Sequence, residues 1–318
     1  MTHPNTRTSD EEFIRLFEEL GATGVHQKTG LTLRRVYQRR AALERKYKRQ
    51  IVSPSPRKGI TTRVGIARPG RLEVECSDGV VLVGSDMHYW PGPPSTAHRA
   101  FVKFCQELKP ATVIANGDVI DACSISRHPP IGWTHMPTVQ EEIEASQDRL
   151  GEIEAAAFRA RKIWPLGNHD GRFETRLATI APEFAKVRGT SLKDHFPVWE
   201  PCWSVFINGN VVVKHRFRGG IHAVYNNALA SGLSMITGHL HSAKVTPWSD
   251  YTGTRYGVDT GCIADPSHPA FEYLEDNPRN WRAAFAVLTF HQGRLMMPEL
   301  VQVWDQDHVE FRGEVIHV

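Results

Sequence analysis

Ala111-Thr112-Val113-Ile114-Ala115-Asn116-Gly117-Asp118-Val119-Ile120-Asp121 is an apolar run that closes on two acids. The run reads as a buried strand, so Asp118 stands at a strand end. A carboxylate has two oxygens, and an aspartate so placed can hold two metal ions at once and set their spacing. Four other fragments carry matching chemistry: Asp86-Met87-His88, Gly167-Asn168-His169-Asp170, His215, and Gly238-His239-Leu240-His241.

Working outward, each fragment falls at the end of a predicted strand. Upstream, Ala97 to Leu108 has a helical pattern, and Val80 to Val83 is a fully apolar strand that delivers Asp86 and His88. Before it, Arg71 to Cys76 alternates as a half-buried edge strand, and Ser77-Asp78-Gly79 predicts a hairpin turn between the two. Downstream, residues 122 to 136 are too polar and too broken by proline for an element, but long enough for a pocket wall. Thr138-x-x-Glu141 is a capping box, and Val139, Ile143, Leu150, Ile153 and Ala157 mark the buried side of the helix it opens. Lys162 to Pro165 is the next strand, ending in Gly167-Asn168-His169-Asp170. Two βαβ units with candidate ligands at strand carboxyl ends follow from this. Residues 172 to 199 read as helix with loops. Short strands are expected at 203–207, 211–214, 233–237, 256–259, 284–290 and 300–304.

Any one histidine among 16 is more often a core or surface group than a ligand. Along a strand, however, alternation puts Asp86 and His88 on one side, and His239 and His241 likewise. Five fragments in this order over residues 86 to 241 resemble the signature of the calcineurin-like metallophosphoesterases, dinuclear metal enzymes that cleave phosphate mono- and diesters. The resemblance implies an α/β (α+β, four-layer) sandwich of two mixed β-sheets flanked by helices. It also implies that Asp86, His88 and His241 hold one metal and Asn168, His215 and His239 a second, with Asp118 shared. Two divalent ions, Mn²⁺ first and Fe²⁺ or Zn²⁺ as alternatives, suit such mixed oxygen and imidazole ligands. Spaced about 3.5 to 4 Å apart, they would activate a bridging hydroxide for in-line attack. His169 would then give a proton to the leaving oxygen while Asp121 holds its other ring nitrogen. Asp170 receives no role. His215 is preferred to His222 as the ligand because it ends the strand Val211-Val212-Val213-Lys214.

In the phosphoprotein phosphatases of this family an arginine follows Gly-Asp-x-x-Asp, whereas Ala122 stands here, which argues against that branch. Arg127, His128 and Arg172 are the candidates to meet a substrate anion instead.

The N-terminal segment is a different kind of sequence. Residues 1 to 60 hold 13 Lys+Arg against 6 Asp+Glu, while residues 61 to 318 hold 25 against 29. Ser9-Asp10-Glu11-Glu12 is a capping box; Phe13, Leu16, Phe17 and Leu20 give one apolar stripe, and Gly21 stops the helix. A short helix over Thr23 to Thr29 and a third over about Thr32 to Arg49 follow. On the third, Leu33, Val36 and Tyr37 share a face, with Arg34, Arg35, Gln38 and Arg39 on others. This resembles the helix-turn-helix modules of DNA-binding regulators and phage proteins, and implies those four polar residues as DNA contacts. The expected division is a basic helix-turn-helix-like domain over 1–50, a linker over 51–70 with a strand near 61–67, and a catalytic domain over 71–318. Together the parts look most like phage-encoded metallophosphoesterases.

The five cysteines, Cys76, Cys105, Cys123, Cys202 and Cys262, are spread with no Cys-x-x-Cys pair, which suggests a reducing compartment. No apolar run of about 18 residues exists, and the polar N-terminus does not look like a signal peptide. A cytoplasmic enzyme, in the host cytoplasm if phage-encoded, is expected, with DNA or another nucleic acid as partner: a nuclease or a DNA-end phosphatase. Two alternatives remain open. One is hydrolysis of a small phosphoester with the N-terminal arm serving oligomerisation, and the other a DNA-binding protein whose metal domain is not catalytic.

Overall fold

The computed structural model describes residues 8–51, 53, 70–127 and 135–318. The chain divides into two compact units, Met1–Arg68 and Pro69–Val318. The expected strand near 61–67, most of the expected linker and His128 lie outside the described residues.

In the first unit, α1 (Asp10–Thr29) starts where Ser9 accepts from the Glu12 amide. Gly21, at φ 68°, breaks it into two runs, so the first and second expected helices abut with no loop between them. Thr32 caps α2 (Leu33–Tyr47). Phe13, Phe17, Val25, Val36 and Leu43 form the core. The expected apolar face of α2 needs correcting, because Leu33 and Tyr37 are exposed and only Val36 of the three is buried. Val36 and Leu43, two turns apart, face α1, and the guanidinium groups of Arg39 and Arg40 lie over the rings of Phe13 and Phe17. Those two flat cations cover the ring faces that Leu33 and Tyr37 do not reach.

The second unit is two mixed sheets flanked by helices, several on the outer side of the larger sheet and Ala223–Ser231 against the strands Ser234–Thr237, Lys244–Asp250 and Gly253–Asp259 of the smaller. The smaller sheet has the order β1 (Arg71–Val74), β6 (Ser204–Ile207), β7 (Val211–Val213), β8 (Ser234–Thr237), β10 (Gly253–Asp259), β9 (Lys244–Asp250). The larger runs β15 (Glu314–His317), β14 (His308–Phe311), β13 (Glu299–Val303), β11 (Ala284–His291), β2 (Gly79–Gly84), β3 (Thr112–Ala115), β4 (Arg161–Pro165), β5 (Glu200–Cys202), with β12 (Arg294–Leu295) beside β11. Because strand side chains alternate, Val81, Val83, Ile114, Ile163, Ala286 and Leu288 fill the space between the sheets. There they meet Val205, Ile207, Val211, Val213, Ile236 and Val258 of the smaller sheet. The other parity, Leu82, Val113, Ala115, Trp164, Phe285 and Val287, packs on α3 (Thr96–Leu108) and α4 (Val139–Ala156) through Phe101, Phe104, Ile143, Leu150 and Ile153. Burial on both faces is why β2 and β3 read as unbroken apolar runs. The Thr138–Glu141 capping box is present at the start of α4.

The expected β1–β2 hairpin does not form. β1 pairs in parallel with β6 and β2 lies between β3 and β11, so residues 75–78 carry the chain from one sheet to the other. A strand apolar on both faces needs neighbours on both edges and cover on both sides, which a hairpin with the half-polar β1 would not supply. All five cysteines are buried and free.

Candidate metal centre

Strands β2, β3 and β4 run parallel, as do β7 and β8 in the smaller sheet, and the chemistry gathers where they end. Asp86 and His88 follow β2, Asp118 follows β3, Asn168 and His169 follow β4, His215 follows β7, and His239 and His241 follow β8. Asp86, His88 and His241 offer ligand atoms all within 4.8 Å of one another, and so do Asp118, His215 and His239. A third grouping, His88, Asp121 and His169, adjoins the first.

The reason these side chains converge differs from the one their spacing suggested. β2 stops at Gly84 and β8 at Thr237, so strand alternation does not reach the ligands. The backbone is left-handed at Asp86 (φ 53°), His88 (φ 41°), Asp118 (φ 50°), His239 (φ 72°) and His241 (φ 55°). Each such residue costs roughly 1 kcal/mol or more, a strain typical of functional sites. Interlocking loop bonds hold the path: Asp86 N donates to Gly117 O at 2.9 Å, His88 N to Asp118 O at 3.0 Å, and Gly238 N to His215 O at 2.9 Å.

Two glycines make room. A Cβ on Gly167 would stand 2.0 Å from Asp118 Oδ1, and one on Gly238 would stand 2.5 Å from Asp86 Oδ2. Both carboxylates are fully shielded from water. His241 Nε2 lies 2.9 Å from Asp86 Oδ1, and His215 Nε2 lies 3.1 Å from Asp118 Oδ2. Burial alone would raise both carboxyls, yet the imidazoles of His241 and His215 hold Asp86 below its ordinary value, and His215 and His169 do the same for Asp118. Burial works against a charged His215, but Asp118 and Asp86 push it up to about 10.

The donor set fits divalent cations. Asn168 Oδ1, His215 Nε2 and His241 Nδ1 are buried without a hydrogen-bond partner. Buried polar atoms are rarely left so; these three belong to expected ligands, while six other described side chains, Asn116 and Asp259 among them, also carry one. His222, the alternative to His215, is exposed at the start of the helix Ala223–Ser231 and belongs to none of the three groupings.

His169 stands at the edge of the centre, its Nδ1 against Asp121 Oδ1 and its Nε2 3.8 Å from Asp118 Oδ2. Asp121 also lies 3.3 Å from His88 Nδ1, so one carboxylate orients both rings. Of the three candidate anion contacts, Arg172 is at the site: it donates to Asp121 O at 2.9 Å and lies 3.2 Å from His169 Nε2. Arg127 is exposed with no partner among the described residues.

Sequence reasoning missed two buried acids that build this place. Asp170 accepts from the amides of Asp118 (2.9 Å), Val119 (2.9 Å), Ile120 (3.3 Å) and Gly167 (2.7 Å) and from Trp164 Nε1 (2.9 Å). It ties the β3 exit to the β4 exit. Glu142 accepts from the amides of Ala122 and Cys123 and so pins the left-handed Ala122 just after Asp121. A signal for Glu142 was available, since it sits next to Ile143 on the buried side of its helix. Phe271 and Trp281 cover the outer side, with ring centroids 5.1 Å from His88 and 4.2 Å from His241 respectively.

No known family profile matches the chain, and no curated protein does. Among solved structures it is similar to Vps29 of Chaetomium thermophilum at 11% identity, covering 75% of this chain and 97% of that one, with a TM-score of 0.37. It is similar to the phosphoesterase YfcE of E. coli at 14% identity, covering 74% and 96%, with a TM-score of 0.34. A Saccharomyces cerevisiae protein serine/threonine phosphatase described as similar to human PP5 shares 12% identity, covering 80% and 92%, with a TM-score of 0.34. Among the described residues, no helix is long and apolar enough to cross a membrane.

Proposed function

We propose that this chain is a divalent-metal-dependent phosphoesterase of the calcineurin-like kind that cleaves phosphodiester or phosphomonoester bonds in nucleic acid, as a DNA nuclease or DNA-end phosphatase. The observation that carries this reading is the pair of clusters on Asp86 and Asp118, buried except for His239, together with the buried and unpartnered Asn168 Oδ1. Asp86, His88 and His241 would hold one cation, Asn168, His215 and His239 the other, and Asp118 both. Two bound divalent ions, Mn²⁺ or else Fe²⁺ or Zn²⁺, would supply water activation and charge neutralisation at phosphorus. The chain's own groups do the rest. Asp121 takes the Nδ1 side of His169, which leaves Nε2 as the atom that hands a proton to a leaving oxygen. Arg172, beside that nitrogen, is placed to grip a phosphoryl oxygen.

Metal-stripped protein resupplied in turn with Mn²⁺, Fe²⁺ and Zn²⁺ tests the reading against nitrophenyl esters, cyclic nucleotides, DNA and RNA. Turnover that appears only with metal is expected; none with any of the three would overturn it. Binding should also show as stability. At free metal about a hundred times the dissociation constant the gain is about 2.7 kcal/mol, or roughly 5 to 10 °C in Tm. A melting curve indifferent to chelator and to re-added metal would count against the centre.

The N-terminal unit supports nucleic acid as substrate through the exposed residues Arg34, Arg35 and Gln38 on α2, with Tyr37 among them. Arg39 is engaged differently: it donates to Thr8 O, pairs with Asp10 at 3.2 Å and lies over Phe13, so it holds the unit together. Replacing Arg34 and Arg35 by alanine should weaken DNA binding and reduce the slope of log K against log salt by about 2, with Tm unchanged. Arg39→Ala should instead lower the stability of this unit. An unaltered salt slope in the double variant would remove α2 from the DNA contact.

A further inference from the structure

The stretch Pro201 to Ser249 contains Lys214, Arg216, Arg218 and Lys244 and not one Asp or Glu, in a chain whose residues 61–318 are acidic overall. Three of its four cations, Lys214, Arg216 and Arg218, lie within three residues of His215 in the chain. His215, buried against Asp118, is followed directly by Arg216-Phe217-Arg218-Gly219-Gly220-Ile221-His222, every residue of which is exposed. Phe217 leaves 46% of its surface in water and Ile221 80%, where a loop free to choose would carry polar groups. Lys214 and Arg218 flank the Phe217 ring, 5.6 and 5.8 Å from its centroid. Among the described residues none of Lys214, Arg216, Arg218 and Lys244 forms an ion pair. The loop leaves directly from His215, a member of the Asp118 cluster. His239, the other histidine of that cluster, is its exposed member.

Unpaired cations with an exposed ring between them are what a strand with unpaired bases needs: arginine for the phosphates, an aromatic face for a base. A small phosphoester would need neither Phe217 nor an arginine on each side of it. We infer that residues 214–222 form a single-stranded nucleic-acid track, with Arg216 and Arg218 on phosphates flanking the scissile one and Phe217 stacked on an unpaired base. This rests on the phosphoesterase reading for its purpose, but not for its binding test. The substrate class becomes a single-stranded nucleic acid or a frayed end.

The test uses the full-length protein with Mn²⁺ and labelled oligothymidylate, oligouridylate and a duplex of mixed sequence. Binding is read by fluorescence anisotropy and turnover against a nitrophenyl ester. Phe217→Ala should weaken oligonucleotide binding about tenfold, and Phe217→Trp should restore it, since stacking needs only an aromatic face. Arg216→Ala with Arg218→Ala should cut the salt slope of single-strand binding by about 1.4. The ratio of oligonucleotide to nitrophenyl kcat/KM should fall in the same variants. The thymidylate and uridylate arms decide between DNA and RNA. Oligonucleotide affinity unchanged in Phe217→Ala, or weakened equally in Phe217→Trp, overturns the track. Wild-type protein that turns over neither nitrophenyl ester nor oligonucleotide with Mn²⁺, Fe²⁺ or Zn²⁺ overturns the phosphoesterase reading instead, whatever the anisotropy shows.

Discussion

Asp118→Asn is expected to lower metal-dependent phosphoester hydrolysis by roughly a thousandfold or more, since it removes the one ligand that both cations would share. Asp118 is buried, its Oδ1 accepting from the His169 amide at 2.8 Å and its Oδ2 lying 3.1 Å from His215 Nε2. Asparagine keeps the shape and one oxygen, so the loop can stay folded. It replaces the second oxygen with an amide nitrogen that cannot ligate a cation, and it removes a negative charge from a pocket crowded with imidazoles. Whichever way the amide turns, either His169 N loses its acceptor or the His215 side loses its carboxylate oxygen. Metal titration should therefore show one tight equivalent lost, along with the activity. A variant that binds two equivalents and turns over ester as the wild type does would end the proposed role of this residue.

Asp170→Ala should cost at least about 4 kcal/mol, a large part of the roughly 5 to 15 kcal/mol that stabilises a typical domain. Four backbone amides and an indole N–H converge on the Asp170 carboxylate, and no water could replace it in so closed a place. Each donor left unmatched costs about 1 to 3 kcal/mol, so even partial relaxation leaves a deficit. At about 2 to 4 °C per kcal/mol, the metal-free protein should melt at least about 8 °C below the wild type. Asp170→Asn, keeping one acceptor oxygen, should fall between. Hydrolysis should fail in both, because the amides released are those that aim Asp118 and Gly167. Melting within a degree or two of wild type would show that these loops hold their shape without it.

The sequence by itself determined what depends on near neighbours. Unbroken apolar runs along β2, β3 and β11 announced strands that bury both faces, and Ser9 and Thr138 announced helix starts, because a hydroxyl meets an amide three residues on. The types of the ligands were equally legible, since imidazole and carboxylate carry their chemistry wherever they sit. Only the tertiary structure decided which partner each strand took: β1 left β2 for the other sheet, because pairing is settled by burial across the whole sandwich. It decided that Arg39 serves the fold through Asp10 and Phe13, and that Asp170 gathers amides from two separate strand ends. It decided, too, that five ligands turn through left-handed backbone and do not alternate along a strand. Such a conformation is unfavourable for an isolated chain and persists only where loops from distant parts of the sequence lock one another in place.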